Sequence, residues 1–239
     1  MIEFENNSKL QAETTEIKSL TDVRLVKIDP QADGFFDKVI NFKSTDDRIK
    51  AFIETVAKVK YAKLQPYYRP IYDPSEEGDK IVYKKGNKPA LRHSYNWWVQ
   101  TASRMPLVEG RHWQIATEYQ YYAFLVWLIN QLVDDGKSVR DALTVVVLDS
   151  KNLGYYFDSE HSKVNTEYHE RTGSRCVCGV YDLANAYKIL RCSKEAEGLW
   201  LGSGNFIDRG HKRPLANLKY FADGDNIIVV EFSVGLLVL

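Results

Sequence analysis

The sequence is poor in cysteine and methionine and has no surplus of either charge. Three cysteines, Cys176, Cys178 and Cys192, occur in 239 residues. So few cannot form a disulfide framework, and an odd number leaves at least one thiol unpaired. A reducing compartment during folding is the simplest reading. The thiols lack the Cys-x2-Cys spacing usual for zinc and would need a fourth ligand such as His169, so buried or idle thiols are expected. Lysine and arginine number 32, as do aspartate and glutamate, giving net charge zero. That balance argues against a domain built to wrap nucleic acid, which carries a basic surplus. No apolar run approaches the roughly 18 residues of a spanning helix. The start, Met1 to Asn7, lacks a cationic block followed by an apolar one. Neither signal peptide nor membrane partner is expected: synthesis is cytoplasmic. Internal repeats and low-complexity tracts are absent.

What is present is core-forming material: 44% hydrophobic residues and 13% aromatic, with 15 Tyr and 5 Trp. Residues 1–20 are polar and unpatterned, a flexible or extended N-terminal arm able to tether the domain to a larger structure, such as a homo-oligomer. Residues 21–239 read as a single domain. Thr21 to Ile28 alternates like a strand. Ser44 is placed to cap a first helix, with Asp46 and Asp47 in its first turn and Ile49, Phe52, Ile53, Val56 and Val59 on one side. From Tyr61 to Tyr83, Pro66, Pro70, Pro74 and Gly78 predict an irregular loop.

Ser94 is placed to cap a second helix running to about Met105, where Pro106 ends it. Thr117 and Gln120 make a capping box for a third helix, stopped at Gly136. Its apolar residues, including Tyr122, Leu125, Val126, Leu128, Ile129, Leu132 and Val133, cover so much of the circumference that it must be buried. Thr144 to Leu148 reads as a buried strand. Short strands follow near Arg175–Val180, where Cys176 and Cys178 would share a face, near Leu199–Leu201, and from Ile227 to Leu239. The last must be interior, because an exposed edge of that composition would aggregate. The pattern is α+β: early helices packed on short twisted antiparallel strands, with a loop-rich second half.

The candidate chemistry is sparse. Asp149, Asp158, Glu160 and Asp182 are scattered acids read as solvated loop residues, and His161 and His169 are poorly spaced for a metal. Asp223-Gly224-Asp225-Asn226 offers calcium oxygens but is better read as a hairpin turn. No cofactor, catalytic residue or metal ligand is assigned. The segment Trp200 to Phe221 is different. Arg209, His211, Lys212 and Arg213 crowd together, flanked by Trp200, Phe206, Tyr220 and Phe221. Trp200, Asn205, Phe206, Asp208, Arg209, His211, Arg213 and Tyr220 form the candidate ligand-binding set, suited to sugars, phosphates or protein.

Four landmarks appear in order. Ile40-Asn41-Phe42-Lys43-Ser44 through Ala51-Phe52-Ile53 looks like an opening helix of pattern thr-asn-x-x-tyr-x-x-phe. Lys88-Pro89-Ala90-Leu91-Arg92-His93-Ser94-Tyr95-Asn96-Trp97 is similar to pro-val-x-x-val-ser-trp. Gly110-Arg111-His112-Trp113-Gln114-Ile115-Ala116-Thr117-Glu118-Tyr119-Gln120-Tyr121-Tyr122 looks like gly-x-x-trp-arg-leu-pro-thr-glu-ala-glu-trp-glu-tyr. Val177-Cys178-Gly179-Val180-Tyr181-Asp182-Leu183-Ala184-Asn185 is close to asn-x-phe-gly-leu-tyr-asp-met-x-gly-asn. Leu201-Gly202-Ser203-Gly204 and Val234-Gly235-Leu236-Leu237 sit where the same pattern has arg-gly-gly-ser-trp and val-gly-phe-arg. Over residues 35–239 the chain resembles the formylglycine-generating-enzyme (sulfatase-modifying-factor) family, a variant of the C-type-lectin fold.

The departures bear on function. The family's oxidation chemistry uses two cysteines in its later part, and no cysteine follows Cys192 here. Without them there is no soft Cu(I) ligand pair and no low-pKa sulfur nucleophile. The related sulfoxide synthases need a histidine-rich iron domain ahead of this fold, and residues 1–35 contain no histidine. The family's asn-val-trp-glu-trp becomes Asn185-Ala186-Tyr187-Lys188-Ile189, losing the carboxylate of an inherited calcium site. The resemblance therefore implies a non-catalytic member. In several phage and retroelement-diversified relatives, the loops before the last strand bind cell-surface receptors, which points to a protein or glycan receptor and to a virion or cell-surface location. A structural assembly role is the alternative. A metal-dependent oxidase is the reading least supported.

Overall fold

The computed structural model describes residues 14–17, 23–78, 80–90, 93–105, 107, 111–154, 176–183, 187–193, 198–202, 209–221, 232–234 and 236–238. In chain order these give β1 (Thr14–Ile17), β2 (Val23–Ile28), α1 (Asp37–Ile40), α2 (Asp47–Tyr61), β3 (Tyr67–Pro70), β4 (Ser75–Glu77) and β5 (Lys80–Val82). Then follow α3 (Tyr95–Arg104), β6 (Trp113–Ile115), α4 (Glu118–Asp134) and α5 (Val139–Leu143), which runs into a π-helical turn, Thr144–Leu148. The second half holds β7 (Cys176–Val177), β8 (Val180–Tyr181), β9 (Tyr187–Arg191), β10 (Leu199–Gly202), β11 (Lys219–Phe221), β12 (Phe232–Val234) and β13 (Leu236–Val238). The fold class is α+β.

The helices begin where local chemistry satisfies their free N–H groups. Thr117 Oγ1 accepts from Gln120 N at 3.1 Å while Gln120 Oε1 accepts from Thr117 N at 2.9 Å, completing the capping box of α4. Ser94 Oγ accepts from Trp97 N at 3.2 Å at the start of α3. The cap of α2 differs from expectation. Asp46 holds it, its Oδ1 accepting from Arg48 N and Ile49 N, while Ser44 Oγ accepts from Asp46 N one step upstream. A carboxylate is the stronger acceptor facing the helix dipole. α4 is buried along most of its circumference, from Tyr121 through Leu132.

The main sheet has the order β1-β2-β3-β13-β6, so β13 lies between strands from the first half of the chain. A second sheet, β11-β10-β9-β12, contains one parallel pair, β12 with β9. β4–β5 and β7–β8 are small antiparallel hairpins. The main core, with Val26, Ile28, Phe52, Val56, Tyr67, Phe124 and Leu128, lies between the main sheet and α2, α4 and α5. A second cluster, with Val23, Leu25, Tyr83, Trp98, Trp113, Ile115, Leu199 and Leu201, includes buried residues of α3. β2 therefore feeds two cores, its alternate residues going to different sides.

Three expectations are corrected. Thr144–Leu148 is not a strand: Asp149 N donates to Thr144 O at 3.0 Å, and Val146 and Val147 are buried in the main core. The β-branched run follows directly on α5, and packing overrides its β-propensity. The stretch from Tyr61 to Tyr83 is not irregular throughout, because Tyr67 is fully buried on β3, a central strand. Pro70 is tolerated as the last residue of that strand, and the ladder resumes with Ile71 N donating to Arg24 O at 3.0 Å. Cys176 and Cys178 do not share a strand. Cys178 and Gly179, at φ 51° and 79°, form the turn between β7 and β8.

Of the N-terminal arm, Thr14–Ile17 is described and pairs with β2. Among the described residues no helix is long and apolar enough to cross a membrane.

Candidate functional site

The segment after β10 supplies the exposed basic and aromatic groups. Arg209 O accepts from Lys212 N and from Arg213 N, each at 2.9 Å, and Pro214 O accepts from Asn217 N at 2.9 Å. Two nested turns therefore fold the chain back towards β11, and Asn217 Nδ2 ties them by donating to Lys212 O at 3.2 Å.

The turns are clamped to the helical layer. Gly210 is buried, its carbonyl accepts from Ser150 N at 3.2 Å, and an added Cβ would stand 2.6 Å from the Lys151 Cα. Only glycine fits so close to another backbone. Ser150 Oγ accepts from Leu215 N at 2.9 Å and donates to Val146 O at 3.3 Å. Tyr121 OH, from α4, donates to Leu215 O at 3.1 Å, and Ala216 N donates to Val146 O at 3.3 Å. The π-helical turn is thus the platform on which the basic turn sits.

On that platform Arg209, His211 and Lys212 are exposed and Arg213 is half-buried. Tyr220 is 41% exposed. Its ring lies 5.2 Å from that of half-buried Trp200, because the two residues are cross-strand partners on β11 and β10. Asn205, Phe206 and Asp208 lie outside the described residues. So do Asp158, Glu160, His161, His169 and Asp223–Asn226. A fixed turn presenting guanidinium, imidazole and ammonium groups can bind anionic groups by charge-assisted hydrogen bonds, and an exposed phenol can cover a sugar or side chain with its ring.

A second constellation went unread in the sequence. Arg69, Asp73, Asp182 and Lys188 are each buried, with exposures of 8%, 4%, 1% and 2%. Lys188 Nζ binds both carboxylate oxygens of Asp73. Asp73 N donates to Asp182 Oδ2 at 3.2 Å, and the Arg69 guanidinium lies 3.7 Å from the centre of the Phe124 ring. Burial pulls the Lys188 pKa down, opposed by the adjacent Asp73 carboxylate, and Arg69 is lowered for the same reason. Two cations and two anions in one enclosed space balance each other and join β3, β8 and β9.

Asp182 is accordingly not the solvated loop acid expected. It sits at φ 56°, one residue after β8, with its carboxylate turned inward. Its place beside the Val180-Tyr181 pair and the Lys188 departure were the available signals. Nothing in the Tyr- and Pro-rich stretch marked Asp73.

Burial pushes the Cys178 thiol up to about 12, with Asp135 adding to the effect, which leaves little thiolate near neutral pH. Cys192 is raised by burial and by Glu118, whose carboxylate accepts from Ser193 N and Ser193 Oγ, each at 2.6 Å. Among the described residues no group of three or more His, Cys, Asp or Glu side chains is placed to hold a metal. Compared with known proteins, the chain matches no family model, no curated protein and no solved structure.

Proposed function

We propose that the chain is a non-enzymatic recognition module that binds a protein or glycan receptor through the turn from Arg209 to Tyr220. The observation that carries this reading is the rigid mounting of that turn. Gly210, Leu215 and Ala216 are locked to Ser150 and Val146, while Arg209, His211, Lys212 and Tyr220 remain exposed. A stiff base under exposed polar groups limits the entropy lost on binding.

A C-type-lectin-like scaffold of formylglycine-generating-enzyme type is the finer fold reading. It is supported by the Ser94-capped α3, by the capping box of α4 directly after β6, and by β13 returning between β3 and β6. The carrier would be a phage virion or a cell surface.

The test is a glycan and cell-surface binding screen on the full chain, repeated with Arg209→Ala, Arg213→Ala, Phe206→Ala and Tyr220→Ala. Loss of capture at unchanged Tm supports the proposal. Wild-type binding in all four variants removes it.

One observation favours structural assembly as a second reading: among the described residues β1 has a neighbour on one side only, an edge on which another chain can pair. Deleting residues 1–20 would then lower the mass measured by light scattering. A monomer before and after the deletion discards this reading.

A further inference from the structure

A small cavity lies beside the buried charges. Its volume is about 20 Å³, and it is lined by Tyr67, Arg69, Ala116, Gln120, Tyr121, Phe124, Lys188 and Leu190. A space of roughly 10–15 Å³ is enough to admit one water molecule. The polar groups on its wall determine whether it stays empty. Among the described residues Arg69 Nη1 has no hydrogen-bond partner, and the residue is only 8% exposed. An unpaired buried guanidinium N–H is among the costlier polar defects, and folded proteins rarely keep one.

None of the described groups around the cavity accepts from Arg69 Nη1. Tyr67 OH is directed as a donor to Gln120 O and Tyr121 OH to Leu215 O, and Gln120 Oε1 accepts from Thr117 N. The Asp73 carboxylate is engaged by Lys188. Beneath Arg69 lies the face of Phe124, which stabilises the cation but offers no lone pair to an N–H in the guanidinium plane. The space is also bordered by the first turn of α4, whose dipole favours electron-rich occupants.

We infer that this cavity is a binding site for one compact hydrogen-bond acceptor, of water or halide size, held by Arg69 Nη1. The chemistry is the same for both sources. Water leaves the cluster of Arg69, Lys188, Asp73 and Asp182 neutral, and a halide adds one negative charge beside the two cations. The occupant lies where β3, the start of α4 and β9 meet.

The experiment is a high-resolution crystal structure of the full chain grown in sodium bromide. A peak within hydrogen-bond distance of Arg69 Nη1 is expected. An anomalous signal there identifies a halide, and density without one identifies water. Either result supports the site, and no density overturns it. Ala116→Val gives a second readout independent of crystals, because the added methyl groups enter the cavity. If the acceptor is present, they displace it and strand Arg69, lowering Tm by several degrees. A dry cavity would be filled with profit, so a raised Tm also overturns the inference.

Discussion

The Lys188 ammonium chelates the Asp73 carboxylate across 115 residues of sequence, and both side chains are almost wholly buried. The pair joins the segment after β3 to β9, so it ties the first half of the chain to the second sheet. Removing one partner leaves the other charged and dry. Lys188→Met is expected to destabilise the fold by about 3–5 kcal/mol. Adding Asp73→Asn to that variant should recover part of the loss, and urea denaturation of both variants checks it. Equal stability of Lys188→Met and wild type would contradict the clamp.

Gly210 is predicted to be intolerant of the smallest side chain. Its φ is not the obstacle; the Lys151 backbone occupies the space a Cβ needs. Gly210→Ala should cost about 1–3 kcal/mol by overpacking. It should also move the basic turn, so any ligand capture falls further than stability alone explains. Denaturation and binding measured on one preparation separate the two effects.

Ser150 holds the same turn from below. Ser150→Ala removes the acceptor of the Leu215 N–H in a buried setting. A loss of about 1–3 kcal/mol is expected, since the amide is left without a partner. Faster amide exchange at Leu215 would report it directly, and unchanged exchange would refute it.

The thiols should differ in reactivity. Cys176 is exposed, whereas Cys178 is half-buried with its pKa raised to about 12. Alkylation near neutral pH is expected to mark Cys176 first, and peptide mapping shows the order. The same shift predicts alkaline instability. In the unfolded chain the Cys178 thiol ionises near the ordinary value of 9.0, while the folded protein keeps its proton to about 12. Its stabilising contribution is complete below the unfolded pKa and is lost as pH rises through that window, by at most about 1.4 kcal/mol per pH unit. Cys178→Ser should flatten that part of the stability curve, and parallel curves for the two proteins would count against it.

Much of the helical half was legible, because caps and periodicity are local. Ser94, Thr117 with Gln120, and the apolar circumference of α4 announce themselves within a few residues. The π-helical turn was not, since Val145-Val146-Val147 carries strand propensity and only the lead from α5 and the core make it helical. β3 was hidden by flanking prolines, although the chain needs just one proline-compatible position, Pro70, at its end. The basic turn was visible as a cluster, and its mounting on Ser150 was not. Lys188 and Asp73 are distant in sequence, and neither has a local pattern that betrays a buried charge. Long-range polar pairing leaves no periodic trace.

The position of β13 has a consequence for how the protein is made. A ribosome delivers β3 and β6 long before residues 236–238, so during synthesis the largest sheet exists as two fragments with a vacant slot between them. Those open strand edges are exposed to other nascent chains, and the slot closes only by a contact of very high sequence separation. Yield in the cell should therefore depend on how quickly β13 follows β3 and β6 and on what shields the gap meanwhile.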